Sequence, residues 1–113
     1  MRRTVTILLA ALVVLAGAAP AGALITGVDV ASYQHPGGAP IDWVKVRSAG
    51  HRYALVKATE GTTYTNPYFN ADWTGAAAAG LYRGAYHYAR PALPITSALD
   101  QARYFVSKAG SMT

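Results

Sequence analysis

The sequence predicts an α/β fold of three βα units around a parallel sheet, and three observations carry that expectation. Three short apolar runs, Thr26–Tyr33, Tyr53–Gly61 and Gly84–Pro91, each close on polar residues. Buried parallel strands read as near-continuous apolar segments of this kind. The dipeptide Ala-Gly recurs at 49–50, 79–80 and 109–110, thirty residues apart each time. Glycine directly after a helix commonly takes the left-handed conformation that closes it. Each Ala-Gly follows a helix-like segment, and the first two precede a strand-like one, so strands and helices alternate as in βαβ units.

In chain order, the first strand carries Asp29 between Val28 and Val30, and the loop Pro36–Pro40 follows it. Asp42 is placed to N-cap the helix 43–49, with Trp43 and Val46 turned to the sheet and Gly50 closing it. The second strand ends in Lys57-Ala58-Thr59-Glu60, ahead of the loop Gly61–Thr65. Asn66 then reads as an N-cap with Pro67 as the first helical residue. That helix runs to Gly80; its alanines 76–79 favour helix and a close approach to the sheet, and Gly75 weakens it slightly. The third strand leads into the loop Arg90–Pro94. A third helix starts near Thr96-Ser97, with Leu99, Ala102, Phe105 and Val106 as its apolar stripe. Three strands are too few to close an α/β barrel, and the sequence runs only to Thr113.

The N-terminus has the layout of a secretory signal peptide. Arg2 and Arg3 precede an apolar stretch from Val5 to Ala19, then Pro20 and small residues, with cleavage expected after Ala23. The alternative is an uncleaved anchor: the apolar stretch approaches the ~20 residues of a spanning helix, but Pro20 and the small-residue run oppose it. Loss of residues 1–23 takes two arginines and no acid, lowering the formal net charge from +5 to +3. Mild basicity suits attraction to an anionic polymer such as a bacterial wall, and equally a soluble protein kept off its isoelectric point. No basic run is interleaved with aromatics, so nucleic acid is not an expected partner, nor is a membrane after cleavage. The chain has no cysteine, which excludes disulfides and thiolate metal sites. His35, His51 and His87 lack metal-ligand spacing, so neither metal nor cofactor is expected.

Chemistry in α/β barrels gathers at the C-terminal ends of strands, which would bring Asp29, Glu60 and His87 together. A carboxylate between two valines is costly unless partnered or hydrated, so Asp29 is either a site residue or a structural acid bonded to a neighbouring loop. Glu60 is either a site acid or the partner of Lys57 or a nearby arginine. Lys57, if turned inward, would hold a carboxylate ionised. His87, between Tyr86 and Tyr88, is either catalytic or a hydrogen-bonded packing residue. Arg90 before Pro91 is a fixed donor at a strand end. Tyr33 and Tyr64, in or beside loops, are placed to stack on a flat ligand such as a sugar ring. His35 reads as a loop residue, and Asp42, Asp72 and Asp100 as cap or solvent residues. Two carboxylates with aromatics suggest glycoside hydrolysis, but from these residues alone a hydrolase, a sugar-binding module and an inert fragment all stand.

Four motifs in order narrow the choice: Gly27-Val28-Asp29-Val30-Ala31-Ser32-Tyr33-Gln34, Ile41-Asp42-Trp43, Lys57–Tyr64 with Asn66-Pro67-Tyr68-Phe69, and Arg83–Pro91. Together they resemble family 25 glycoside hydrolases over nearly all of residues 26–108. The family comprises exported lysozymes (N-acetylmuramidases) that cut the β-1,4 bond between N-acetylmuramic acid and N-acetylglucosamine in peptidoglycan. The resemblance implies an irregular TIM-like (β/α) barrel, of which residues 24–113 would be the N-terminal half. By position it assigns Asp29 to the active-site aspartate of the first strand and Glu60 to the acidic residue of the second-strand motif. Tyr64, Tyr86, His87 and Arg90 match strand-end positions lining the groove. The family's main proton donor lies in an Asp-x-Glu motif on the fourth strand, and no Asp-x-Glu occurs in this sequence. The expectation is therefore a secreted, peptidoglycan-directed, lysozyme-type protein, inactive as residues 24–113 alone. A non-catalytic module binding wall glycan is the rival.

Overall fold

The computed structural model describes Gly17 and residues 22–110; most of the expected signal peptide, and residues 111–113, lie outside the described residues. The described residues form four strands and three helices in the order β1 Gly27–Val30, α1 Trp43–Ser48, β2 Tyr53–Glu60, β3 Tyr64–Thr65, α2 Phe69–Ala78, β4 Tyr82–Tyr88 and α3 Thr96–Ala109. Two short 3-10 turns, Ser32–Gln34 and Pro36–Gly38, fill the loop after β1.

β2 is the central strand. β1 pairs parallel with its first half and β4 runs parallel along its other edge. The two-residue β3 lies within the stretch expected as a loop and pairs antiparallel with the end of β2. Alternation along the strands separates two faces. Val30, Ala54, Val56 and Ala58 face the helices and are buried with Trp43, Phe69, Ala76 and Leu81, while Val28, Val46, Trp73 and Ala85 pack around them. The opposite face carries Asp29, Tyr53, Leu55, Lys57 and Tyr86, and here Tyr53 and Leu55 stay 37% and 42% exposed. The described sheet is thus covered by helices on one side and open on the other.

The helices begin and end for local reasons. Asp42 Oδ1 accepts the Lys45 N–H at 3.0 Å, capping α1. Gly50 and Gly80 follow their helices with φ of +101° and +79°, as the Ala-Gly repeat implies. Gly110 does not: its φ is −67°. Gly75 has a packing purpose beyond weakening α2. A Cβ at that position would collide with the Trp43 indole, so the glycine opens a notch in which α1 docks on α2.

Two local expectations need correction. Asn66 is not the N-cap of α2; Tyr68 holds that position and Phe69 starts the helix. Asn66 Oδ1 instead accepts the Tyr68 N–H at 3.1 Å, a local turn that uses its side chain two residues before the helix. On α3, the stripe of Leu99, Ala102, Phe105 and Val106 is mostly exposed. Phe105 packs on the core together with Ala109, and Gln101 is the buried residue of that helix.

Candidate active-site cleft

In a regular strand, residues i and i+3 face opposite sides. Lys57 and Glu60 nevertheless face the same side, because β2 carries an extra residue. Lys57 pairs with Tyr86, Thr59 with His87 and Glu60 with Tyr88, so two steps along β2 match one along β4. Ala58 is the additional residue of this bulge. Asn66 takes up the carbonyls the irregularity frees: its Nδ2 donates to the Lys57 oxygen and its backbone N–H to the Ala58 oxygen, both at 2.8 Å. The buried asparagine that reads as a helix cap in sequence therefore secures the strand carrying Lys57 and Glu60.

The open face holds a cleft of about 470 Å³ lined by Asp29, Ala31, Tyr33, Gln34, Lys57, Glu60, Tyr86, Tyr88 and Arg90. Five of the sequence candidates line it: Asp29, Tyr33, Glu60, Tyr86 and Arg90. Asp29 is exposed within β1. Tyr33, on the first 3-10 turn, is 86% exposed, which leaves its ring available to a ligand. Gln34 folds back to accept the Ala31 N–H at 2.7 Å and holds that turn closed. Lys57, Gln34 and Tyr88 are the lining side chains that motif reading did not select. Only Lys57 had a signal, its strand parity.

The cleft's charges are paired across strands. Glu60 Oε1 accepts from Arg90 Nε at 3.1 Å and lies 2.9 Å from Nη2, while Lys57 Nζ lies 3.3 Å from Oε2. Desolvation works to raise the Glu60 pKa, but the hydrogen bonds and charges of Lys57 and Arg90 outweigh it and hold the carboxyl below its ordinary value. The Lys57 ammonium also lies 5.1 Å from the Tyr64 ring centre and 4.9 Å from that of Tyr88. Tyr86 shares the cleft face with Asp29. Burial, then hydrogen bonding to Asp29 and its negative charge, push the phenol pKa upward.

That shift has a measurable sign. The folded chain keeps the Tyr86 proton beyond the ordinary phenol value of 10.0. The stability this contributes is fully present below that pH and is lost as pH rises through the folded value. Tyr86→Phe is expected to flatten the alkaline limb of the stability–pH curve measured by denaturant unfolding. An unchanged limb would show that this phenol does not set it.

Two candidates stand outside the cleft. His87 falls on the helix-covered face, where Nδ1 lies 2.8 Å from Thr59 Oγ1 and Nε2 2.9 Å from Gln101 Oε1. Gln101 also accepts the Arg90 N–H at 2.9 Å and donates to the Arg90 carbonyl at 2.6 Å. His87 is thus spent on joining α3 to the sheet, beside the Phe105 ring. Tyr64 stands behind the cleft wall, its hydroxyl donating to Ser32 Oγ at 3.3 Å. A larger hollow of about 510 Å³ lies between α3 and the loop after β4, lined chiefly by Pro91, Leu93, Ile95, Ala102 and Phe105. It contains no carboxylate, so the smaller cleft is the candidate for acid–base chemistry. Among the described residues no cluster of His, Cys, Asp or Glu could hold a metal, and no helix is long and apolar enough to cross a membrane.

Beneath the loop that presents Tyr33, two residues behave unlike their expected roles. His35 and Asp72 are neither loop filler nor solvent acid: they are 5% and 1% exposed, with His35 Nε2 2.8 Å from Asp72 Oδ2. His35 Nδ1 lies 2.9 Å from the Ala39 carbonyl, and its ring stacks on Tyr68 at 3.9 Å. A carbonyl can only accept, so Nδ1 carries a hydrogen, and one proton lies between Nε2 and the Asp72 carboxyl, making a buried hydrogen-bonded pair.

Comparison with known proteins agrees with the motifs. The profile of Glycosyl hydrolases family 25 matches residues 28–113. Lysozyme M1 of Streptomyces globisporus is 45% identical over 86 residues, covering 76% of this chain and 27% of its own length. The N,O-diacetylmuramidase of Chalaropsis sp is 42% identical over 89 residues, covering 76% and 39%. Among solved structures, the bacterial lysozyme from Streptomyces coelicolor superposes with a TM-score of 0.66 at 45% identity, over 76% of this chain and 37% of that one. The chain thus spans between about a quarter and two fifths of the length of these relatives.

Proposed function

From the premise that the chain belongs to glycosyl hydrolases family 25, we propose that it is the N-terminal portion of a secreted lysozyme-type N-acetylmuramidase. Its substrate is the peptidoglycan glycan strand, cut at the β-1,4 bond between N-acetylmuramic acid and N-acetylglucosamine. Residues 1–23 serve as the signal peptide, and residues 24–113 supply three βα units of an irregular (β/α) barrel. The observation that carries the reading is Asp29: an exposed carboxylate in β1, opening on a cleft with Tyr33, Tyr88 and Arg90 at its edges.

Asp29 assists electrostatically, or orients the substrate's acetamido group or a water. Glu60 is the second carboxylate of the site and is held ionised by its two cations. Tyr33 and Tyr86 contact the sugar, and Arg90 donates to it; Tyr64 and His87 support that wall from behind. Protonation of the leaving oxygen falls to an acid outside these residues, since a glycosidase of this kind needs one carboxyl to protonate and another to assist.

The test is digestion of purified peptidoglycan. A version extended to the length of the relatives is expected to release fragments with muramic acid at the reducing end. The 24–113 polypeptide is expected to leave a wall suspension turbid. Fragments ending in N-acetylglucosamine would refute the bond specificity. Retained glycan binding without hydrolysis by the extended version would favour the non-catalytic binding module. Clearing by 24–113 that is lost in Asp29→Asn would show that no further acid is needed.

A further inference from the structure

Glu60 sits in the cleft, yet neither of its oxygens is free. Oε1 is engaged by both Nε and Nη2 of Arg90, and Oε2 faces the Lys57 ammonium. A proton donor needs a carboxyl protonated at working pH and within reach of the leaving oxygen. Two adjacent cations favour the opposite state. A nucleophile needs an oxygen lone pair directed at the substrate, and here the lone pairs point to protein cations.

The two cations differ in a telling way. The Lys57 side chain is 8% exposed and sits between two tyrosine rings, so it is a fixed internal charge. The Arg90 side chain is 68% exposed, which leaves its guanidinium open to a ligand. Its backbone is clamped on both sides by Gln101, and its Cγ lies 3.5 Å from where a Cβ on Gly61 would stand. What remains to be fixed is the head group, and Glu60 fixes it.

We propose that Glu60 is a positioning residue and not the proton donor: it locks Lys57 beneath the cleft and aims the Arg90 guanidinium at an acceptor oxygen of the bound glycan. The glycan part rests on the functional reading above; the Glu60–Arg90 part does not. Removing Glu60 would free the Arg90 head group and leave two like charges facing each other across the cleft wall.

The experiment is NMR on the chain, with carboxyl and arginine side-chain signals followed together. In the parent, Glu60 is expected to titrate below the ordinary glutamate range, and to move upward in both Lys57→Met and Arg90→Met. The Arg90 Nε–H signal should be protected from exchange in the parent and lost in Glu60→Gln. Backbone amides of β2 and β4 in the same spectra report whether the sheet is intact. Glu60 titrating above its ordinary value in the parent, a measurement that needs no variant, would overturn the proposal. So would an Arg90 Nε–H signal unchanged in Glu60→Gln with the sheet intact. Addition of an N-acetylglucosamine trimer should shift the Arg90 signal in the parent. Absence of that shift alongside the expected titration would refute the glycan part and leave the positioning role standing.

Discussion

Asp72→Ala is expected to destabilise the fold by about 1–3 kcal/mol, the range for leaving a buried polar group without its hydrogen-bond partner. The magnitude follows from burial: Asp72 is 1% exposed, and nothing but its carboxylate faces His35 Nε2. Truncation leaves a buried ring nitrogen without a partner and opens space near the Tyr68 ring that stacks on His35. Against a typical domain stability of about 5–15 kcal/mol, such a loss is a large share of the whole. Asp72→Asn, which keeps an acceptor oxygen, should lose less. Denaturant unfolding of the two variants beside the parent measures the order. Asp72→Ala within about 0.5 kcal/mol of the parent, the usual effect of a surface change, would show that the pair is no staple. Hydrogen exchange should quicken in residues 31–39 first, because His35 ties that loop to α2.

Asp29→Asn, in a version extended to the length of the relatives, is expected to lower turnover by roughly 10²–10⁴-fold, the span attributed to a positioned acid–base group. The substitution is nearly isosteric, and an asparagine oxygen can still accept from the Tyr86 hydroxyl that faces position 29. Local geometry should therefore survive while the negative charge disappears. The melting profile is expected to match the parent. Near-normal turnover with that profile would reduce Asp29 to a structural role.

The three parallel strands and three helices were legible because their signals are local. The apolar runs, the Asp42 cap and the glycines at 50 and 80 each act within a few residues. What was not legible depends on partners distant in sequence. β3 has only two residues, too few for any periodicity, and exists because the end of β2 offers it an edge. His35 and Asp72 are 37 positions apart, and neither carries a mark of burial in its neighbours. The α3 stripe fails for a related reason: an amphipathic pattern says that a face is apolar, not what covers it, and Leu99 and Val106 stay 51% and 62% exposed. Within the cleft, motif matching found the strand-end residues but not their side. His87 sits between two tyrosines that line the cleft, so simple alternation along β4 turns it to the helices.

The irregularity at Ala58 has a consequence for how this protein tolerates change. Most alterations replace one side chain and leave its neighbours where they were. Deletion of Ala58 would remove the bulge and leave Thr59 and Glu60 on their present faces. Straightening β2 with every residue kept would instead act like a slipped reading frame: everything downstream of Ala58 would exchange inside for outside. Thr59 would turn to the open face, and Glu60 would be driven among the helices, away from both cations. Part of the chemistry is therefore written in where the backbone bulges rather than in the identities of its residues. Two chains with the same acids and bases in the same order could, one bulged and one regular here, present opposite surfaces to a ligand.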